Sequence, residues 1–406
     1  MFFLMYTKIV KKIKTMGNDS ISEKKVSIIY ITTGLSTGGA ERMLYNLLSK
    51  INRQRFSPAV VSLMDRGTWG DHIESLGIPV YTMGMKPGIA TPAAIWKFLR
   101  LVRQLQPDLI QGWMYHANLA AQLASGLSVL KTPVVWSIHH SISSLESEKS
   151  LTVKIIKLCA YLSWLTAKVV FVSEASKLQH EALGYNRQNN CVIPNGFDTS
   201  LFVPSLEEKL AVKAELGLAE KTMIIGVIGR YHPMKDHANF LQAAALLLKT
   251  YPDVHFLLIG TGVDRQNTSL IKLIQDLKLG ARLHLLGERT DIPRLTAALD
   301  ISTLASAYGE AFPLVVGEAM SCAVPCVVTD VGDSAWIVSN TGKVVPPKNA
   351  EALATAWKEL IALDGEERET LGKSARARIV EFFSLDSVVT QYHKLYESAL
   401  NAKKRQ

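Results

Sequence analysis

Short apolar runs rich in Val and Ile alternate with longer stretches of helical periodicity along most of this chain. A continuous apolar run predicts a strand buried on both faces, and helices between such strands predict a parallel sheet. The first half has seven such runs, at residues 26–32, 57–63, 79–83, 108–113, 133–139, 168–173 and 191–196. The second half has five, at residues 223–229, 254–260, 282–287, 301–306 and 325–330. The pattern therefore predicts an α/β protein with two doubly wound parallel-sheet domains in tandem.

A proline and a charged helical pattern in residues 196–222 are typical of a link between two domains. We therefore assign residues 26–200 to a first Rossmann-like domain and residues 201–384 to a second. Such domains bind ligands at the carboxyl ends of their strands, so two that face each other form a central cleft. Residues 1–25 form a basic extension, and residues 385–406 are predicted to form a helix that packs back on the first domain.

Composition agrees with a well-packed protein, since 48% of the 406 residues are hydrophobic and 20% are charged. No segment reaches the roughly 18 consecutive apolar residues of a membrane span. The nearest one, residues 151–173, is interrupted by lysines and is interpreted as a helix followed by a buried strand. The four cysteines have neither a disulfide nor a zinc spacing, so we expect reduced thiols and a cytoplasmic location.

Most of the net charge of +9 lies at the two ends of the chain. Residues 1–25 contribute +4 and the tail "KKRQ" contributes +3. A basic body would indicate nucleic acid, whereas basic ends suit an anionic membrane surface, so we expect no nucleic-acid partner and peripheral membrane contact through the termini. The start "MFFLMYTKIVKKIKTM" is either an interfacial anchor or a leader, because Met16 is an alternative start.

Glycines follow the first predicted strand, in "TTGLSTGGAERMLYNLL". Gly38 and Gly39 lie where the strand turns into a helix, and the backbone N–H groups of such a helix start bind anions. A tight turn without any ligand is the alternative.

Cations follow strands of the second domain. Arg230 and Lys235 in "GVIGRYHPMKDH" could clamp a diphosphate, or they are ordinary solvated charges. In "LLGERTDIPRL", Thr290 and Asp291 are good caps for the next helix, which leaves the preceding Arg289 without an explanation.

Two carboxylates flank the start of an apolar helix in "GEAFPLVVGEAM". Pro313 suits the first helical turn, which leaves Glu310 at the helix mouth and Glu318 about one and a half turns inside. A buried carboxylate needs a partner. Either the helix mouth binds phosphate while the two glutamates accept from hydroxyls on both sides of it, or Glu318 forms an ion pair with a neighbour.

Three histidines follow strands of the first domain. His139 and His140 close the run "PVVWSIHHS", and His116 lies in "WMYHANLAAQLA". A single histidine is more often structural, but three at the same sheet edge make a binding role an equal alternative.

Taken together and in this order, the motifs resemble the family-4 retaining glycosyltransferases, which have the two-domain GT-B architecture. The resemblance covers about residues 26–400 and rests on "GGAER", "VIPNGFD", "GRYHPMKD", "LLGERTDIP", "AYGEAFPLVVGEAM" and "VPCVVTDVGD". It implies that the first domain lies on the acceptor side and that the second binds a nucleotide-sugar, the donor substrate, without a further cofactor.

The resemblance also implies roles for single residues. Glu310 would address the donor sugar, Glu318 the ribose hydroxyls, and Arg230 with Lys235 the diphosphate. His139 would be an active-site histidine beside the donor sugar. The other implied substrate-binding residues are Gly38 and Gly39 in the loop over the donor, His116 in the acceptor pocket, Arg289 near the nucleotide base, and Ala311, Phe312, Pro313 and Leu314 at the helix mouth.

Two departures from the family pattern stand near the glutamates. Ala311 replaces the usual glycine and adds a methyl group beside the donor sugar, so the identity of the sugar does not follow from the resemblance. Ser321 and Ala323 replace an alanine and a glycine that usually follow the second glutamate.

The expected function is that of a retaining glycosyltransferase (EC 2.4 class) which moves a sugar, from a UDP-sugar, to a hydroxyl of a lipid-linked or polysaccharide acceptor. Lipopolysaccharide O-antigen or capsule biosynthesis at the inner face of the cytoplasmic membrane is the implied setting. No Asp-x-Asp pair occurs in the chain, which favours a metal-independent site with its own cations. A sugar-nucleotide epimerase or hydrolase of the same fold, and a non-catalytic nucleotide-sugar binding protein, stay as alternatives.

Overall fold

A computed structural model describes residues 24–36, 38–86, 91–127, 131–142, 145 and 148–404. The basic extension lies outside the described residues except for Lys24 and Lys25, and so does Arg405 of the basic tail. Two parallel sheets, each with helices on both faces, make up the described chain. The predicted α/β class with two doubly wound parallel-sheet domains is therefore confirmed.

The first sheet has seven strands in the order β3-β2-β1-β4-β5-β6-β7. Its strands are β1 Val26–Thr32, β2 Phe56–Ser62, β3 Val80–Thr82, β4 Leu109–Trp113, β5 Val134–Ile138, β6 Lys168–Phe171 and β7 Asn190–Val192. The helices between and after them are α1 Gly39–Lys50, α2 Gly67–Ser75, α3 Pro92–Leu105, α4 Tyr115–Gly126, α5 Ser150–Leu162 and α6 Glu174–Ala182.

The second sheet has six strands in the order β10-β9-β8-β11-β12-β13. Its strands are β8 Ile224–Ile228, β9 His255–Ile259, β10 Leu283–Leu285, β11 Ile301–Leu304, β12 Cys326–Thr329 and β13 Gly342–Val345. The helices are α7 Leu206–Glu215, α8 His237–Leu248, α9 Thr268–Asp276, α10 Ile292–Ala297, α11 Leu314–Ser321, α12 Ser334–Val338, α13 Ala350–Ala362 and α14 Gly365–Phe382, and α15 Leu385–Lys404 follows them. Short 3₁₀ turns are Ser163–Leu165, Pro233–Lys235, Gly280–Arg282 and Ser339–Thr341.

All twelve predicted apolar runs form strands, mostly shorter by one or two residues at their ends. Strand β13 was not predicted. It lies at the edge of the sheet, where Val344 is exposed and only Val345 is buried, and it lacks the continuous apolar run of a strand buried on both faces. The run at 191–196 forms a strand only as far as Val192, and the rest of it is the irregular connection towards the second domain.

The last helix, α15, packs on the first domain. The chain returns from the second domain beside Phe197, whose amide donates to Phe383 and whose carbonyl accepts from Leu385. Apolar residues of α15 then join the core between the first sheet and α1. At the centre of this contact the Tyr396 hydroxyl donates to Gln111 Oε1 at 2.5 Å and accepts from Tyr30 at 3.1 Å.

Within the described residues, no helix has both the length and the apolar character that crossing a membrane requires. Residues 151–173 contain α5, a 3₁₀ turn and β6, as the lysine interruptions indicated.

We expect the hydrogen bonds of the Tyr396 hydroxyl to contribute measurably to the stability of the first domain. Tyr396→Phe leaves Gln111 Oε1 buried without this donor, and we expect it to lower the free energy of unfolding by about 1–3 kcal/mol. Urea unfolding followed by tryptophan fluorescence measures the change. Tyr161→Phe is the matched control, because Tyr161 is 74% exposed, and equal stability of the two variants would contradict the prediction.

Candidate active site

The predicted site residues follow strands at the two places where the strand order of a sheet reverses. In the second sheet β8 lies beside β11, and Lys235 and Glu310 follow these two strands. In the first sheet β1 lies beside β4, and the Gly38–Gly39 loop and His116 follow these two. Such reversals open a crevice at the carboxyl ends of the strands, which is where ligands of doubly wound sheets bind.

Glu310 is buried and paired with Lys235. The Lys235 ammonium lies 2.5 Å from Glu310 Oε1, and the Ser306 hydroxyl donates to the same oxygen at 2.6 Å. Gly309 supports this position with a left-handed backbone (φ 78°), where a side chain would also meet the Met234 sulfur. The second domain alone thus supplies a carboxylate and a cation in contact at the crevice.

Helix α11 carries the second carboxylate. The sequence predicted Pro313 in the first turn of this helix. The helix in fact begins at Leu314, so Pro313 is the residue just before it. Glu318 is the fifth helical residue and is buried. Gly317 is required beside it, because a methyl group there would lie about 2 Å from the ring of Phe197.

Glu318 is paired across the cleft. Arg42, in the first helix of the first domain, lies with its guanidinium 2.8 Å from Glu318 Oε1. Burial raises the pKa of Glu318, and the charge of Arg42 opposes that rise. Glu318 therefore forms an ion pair in this structure, and its partner comes from the other domain.

Arg42 was missed as a site residue, although it ends the motif "GGAER". Its position three residues after Gly39 puts it one helical turn into α1. A conspicuous arginine directly after a Gly-rich helix start was the available signal. Which carboxylate it meets depends on the second domain and has no local signal.

His139 stacks on Trp113, with ring centroids 4.4 Å apart. Burial lowers the pKa of His139 to about 3, and the neighbouring Asn195 side chain offsets this only in part. Neither ring nitrogen has a hydrogen-bond partner in the described part of the chain, so Asn195 is a neighbour of the ring rather than a firm partner. The imidazole is therefore neutral at physiological pH.

Several contacts bring the first-domain residues to the helix mouth. The Trp113 indole N–H donates to the carbonyl of Ala40 at 2.9 Å, which ties His139 to the glycine loop. Asn195 donates to the carbonyl of Phe312 at 3.2 Å. Gly39 faces Leu314, since a methyl group on it would make ordinary contact with that side chain.

Ala311 and Phe312 lie in the buried core of the second domain. Phe312 stacks on Phe197 at 6.0 Å, and Ala311 accepts a hydrogen bond from the amide of Asp333 at 3.1 Å. Ala311 does not have a left-handed backbone, so a methyl group at this position causes no strain.

His140 and His116 differ in their surroundings. His140 contacts the Tyr115 hydroxyl at 3.2 Å and Glu148 at 3.4 Å, and burial lowers its pKa while Glu148 opposes the change. His116 is partly buried near the start of α4, and burial lowers its pKa as well. The structure records no contact between either histidine and the two glutamates in the described chain.

Arg289 belongs to an ion-pair network on the surface of the second domain. Its guanidinium donates twice to Asp291, at 2.8 and 2.7 Å, and once to Glu215 at 3.3 Å. Arg294 donates to Asp291 as well, and these contacts hold the pKa of Asp291 well below its usual range. Asp291 occupies the N-cap position of α10, as expected, but its carboxylate is taken by the two arginines and makes no capping hydrogen bond.

Arg230 is exposed near the start of the segment that follows β8. In the part of the chain that the structure describes, no hydrogen bond or ion pair joins Arg230 or Arg289 to Lys235 or Glu310. The structure thus brings together Lys235, Glu310, Glu318, His139 and the glycine loop, and leaves these two arginines outside that group.

Asp333 is a second residue that the sequence reading missed. It accepts from the amides of Glu174 and Ala175 at 2.8 and 3.1 Å, and so caps helix α6 of the first domain from the second. Burial raises the pKa of Asp333, and the two amides oppose this rise. The motif "VVTDVGD" contains it, but nothing local indicates an interdomain cap.

Two family profiles match the chain. Residues 208–378 match the profile described as glycosyl transferases group 1, and residues 37–201 match glycosyltransferase family 4. In the described residues, no group of three or more His, Cys, Asp or Glu is arranged to hold a metal ion.

Three known proteins are similar to this chain over about two thirds or more of their own length. The UDP-Gal:alpha-D-GlcNAc-diphosphoundecaprenol alpha-1,3-galactosyltransferase of Escherichia coli is 25% identical over 73% of this chain and 77% of its own. The phosphatidyl-myo-inositol mannosyltransferase of Mycolicibacterium smegmatis is 27% identical over 70% of this chain and 68% of its own. Anabaena HepE, solved in complex with UDP and glucose, superposes with a TM-score of 0.79 at 25% identity, over 91% of this chain and 99% of its own.

Loss of Arg42 should make stability depend on pH. Arg42→Ala leaves Glu318 buried without its cation, and the pKa of Glu318 then rises further. A carboxyl whose folded pKa lies above its unfolded value loses stability as pH rises from the unfolded value through the folded one. We expect Arg42→Ala to cost on the order of 1–3 kcal/mol at pH 8 and less at pH 5, measured by urea unfolding.

Two further variants make this test specific. Arg42→Ala combined with Glu318→Gln should remove the pH dependence, because no buried carboxyl remains at this position. Lys50→Ala is the matched control in the same helix, since its pair with Asp386 is exposed. A loss in Arg42→Ala that is equal at the two pH values would contradict the assigned pairing.

Proposed function

The chain belongs to the group 1, family 4 glycosyltransferases with the GT-B fold, and on that premise we propose a retaining enzyme. It moves a sugar from a nucleotide-sugar, a UDP-sugar, to a hydroxyl of a lipid-linked or polysaccharide acceptor. The observation that carries the proposal is the Lys235–Glu310 contact at the crevice of the second sheet, with Glu318 eight residues further along on α11.

In the proposal the donor lies with its diphosphate at the cations, its sugar at Glu310 and its ribose at Glu318. Lys235 and the exposed Arg230 follow β8 and supply positive charge for the diphosphate. Glu310 can accept from a sugar hydroxyl on one side, and Glu318 from the ribose hydroxyls on the other. Ala311, Phe312, Pro313 and Leu314 form the backbone between them, at a helix start whose dipole favours phosphate.

Transfer then needs two bond changes at the anomeric carbon and one proton transfer. The bond from this carbon to the leaving phosphate oxygen breaks, and the bond to the acceptor oxygen forms on the same face of the sugar. The proton of the acceptor hydroxyl goes to the leaving phosphate oxygen, which yields UDP. The charge that develops on the diphosphate is stabilised by Lys235 and Arg230.

His139 contributes as a neutral group. With a pKa lowered to about 3 it is not an imidazolium at neutral pH and does not act as a general acid towards the leaving group. Its two buried ring nitrogens have no partner in the described chain, so they are free to hydrogen-bond the donor sugar. Its role in the proposal is therefore to position the sugar beside Glu310.

The names of two relatives support a lipid-linked acceptor. The Escherichia coli protein is named for a diphosphoundecaprenol-linked acceptor and a UDP-galactose donor, and the mycobacterial one for phosphatidyl-myo-inositol. We infer a lipid-linked acceptor, cell-surface glycan assembly such as lipopolysaccharide O-antigen or capsule, and a peripheral position at the inner face of the cytoplasmic membrane. The chain's own cations make metal independence the preferred form of the mechanism.

The cation assignment can be tested by substitution. Lys235→Met and Arg230→Met should each lower kcat for transfer by about 10²–10³-fold, because each removes positive charge where the transition state becomes more negative. Radiolabel transfer to the acceptor measures the effect. Lys272→Met, an exposed lysine on α9 of the same domain, should behave as wild type. Arg230 has no recorded partner in the described chain, so its variant separates lost charge from a disturbed Glu310, and wild-type turnover in both variants would refute the clamp.

The reaction class can be tested by product analysis. A panel of UDP-sugars with α-anomeric configuration is incubated with a polyprenyl-diphosphate sugar acceptor, and NMR determines the anomer formed. We expect an α-linked product and a rate that chelation with EDTA does not change. A β-linked product would overturn retention. Turnover that needs no acceptor would favour the epimerase or hydrolase, and donor binding without any turnover would favour the non-catalytic binding protein.

A further inference from the structure

Helices α3, α4 and α5 cover one face of the first sheet, and their outer side is unusually apolar for a surface. Residues of all three helices belong to the same buried core beneath them. On the outer side, nine large hydrophobic residues are exposed: Ile95, Trp96, Leu123, Leu127, Leu151, Leu158, Tyr161, Trp164 and Leu165. We call these residues, with the basic residues between them, the outer face. Clustered exposure of this kind marks an interaction surface.

The exposed residues of α5 form one stripe. Leu151, Lys154, Leu158 and Tyr161 recur at intervals of three and four residues, which puts them on the same side of a helix. The 3₁₀ turn that follows adds Trp164, which is 63% exposed. Indole and phenol rings beside lysines are the composition of a helix that lies in a membrane interface.

The charge of the outer face has one sign. Helix α3 carries Lys97, Arg100 and Arg103, and α5 carries Lys154 and Lys157. None of the three helices contains an aspartate or a glutamate. Among the described residues no acidic group forms an ion pair with these five cations. The outer face therefore attracts anions as a whole, and an anionic lipid surface is a partner of the opposite charge.

This charge also argues against two other occupants of the face. A second copy of the chain meeting this face symmetrically would bring five cations against five. The first 25 residues of the chain carry six lysines against two acids, so they too would meet charge of the same sign. An anionic bilayer supplies both the apolar layer and the opposite charge.

We propose that the outer face is the membrane-binding surface of this protein, and that it docks on anionic phospholipid. The proposal rests on the proposed function in one respect, since a lipid-linked acceptor would then reach the cleft from this side. Each of the three helices follows a strand of the parallel sheet, so their first turns, which include Ile95 and Leu151, lie at the same carboxyl edge as the candidate active site. The basic termini are not required for this contact.

Flotation with vesicles tests the proposal in the full chain. Wild type is compared with an apolar variant, Tyr161→Ser with Trp164→Ser, and a charge variant, Lys154→Glu with Lys157→Glu. On vesicles of phosphatidylglycerol and phosphatidylcholine, we expect either pair to lower the partition coefficient by about tenfold or more. On pure phosphatidylcholine, wild type itself should bind weakly.

Matched controls come from the second domain. Lys249→Glu with Lys272→Glu changes charge equally, and Leu206→Ser removes a leucine that is 72% exposed, and both should float as wild type does. A chain that begins at Met16 should also float. The proposal is overturned if the outer-face variants float normally while the shortened chain does not. It is also overturned if wild type does not float and instead self-associates through this face in sedimentation.

Sugar transfer separates this proposal from the proposed function. The outer-face variants should transfer normally to a short water-soluble acceptor analogue and poorly to the same acceptor anchored in anionic vesicles. If wild type floats but transfers to neither acceptor, the membrane surface stands and the proposed reaction fails. Equal loss of transfer on both acceptors would overturn the role of the face in acceptor delivery.

Discussion

Two carboxylates, Glu310 and Glu318, are buried in the cleft, and each needs a cation beside it. The two ion pairs that result constrain how the groups around them are placed. An uncompensated buried carboxylate would take up a proton, because desolvation disfavours its charged form. Lys235 compensates Glu310 from within the second domain, whereas Arg42 compensates Glu318 from the first. One pair is therefore built into a single domain, and the other exists only while the two domains are close. The ionisation of Glu318 is in this way linked to the geometry of the cleft.

Other polar contacts across the cleft follow the same division. Asp333 caps α6 of the first domain, and Asn195 holds the carbonyl of Phe312 in the second. Each contact gives a buried polar group its hydrogen-bond partner. Separation of the two domains would therefore break several of these hydrogen bonds at once. Phe197 adds an apolar contact by filling the space over Gly317. These contacts fix how the glycine loop faces the start of α11.

The sequence predicted the elements of this fold better than the contacts between its domains. Continuous apolar runs identify buried parallel strands, which is why twelve strands were found and only the half-exposed edge strand β13 was not. Strand ends also predicted that Lys235 and Glu310 lie at one edge. Arg42, Asn195 and Asp333 were quoted in motifs without a partner, because the partner of each lies in the other domain. No local periodicity encodes where one domain sits relative to the other.

The structure narrows the possible roles of His139. From the sequence, His139 could have been a structural residue or part of a binding site. Stacking on Trp113 and burial of both ring nitrogens leave it neutral, so the positive charge beside the buried carboxylates comes from Arg42 and Lys235. The lowered pKa also makes His139 a weak base, so in the proposed reaction the proton of the attacking hydroxyl goes to the leaving phosphate oxygen and not to this histidine.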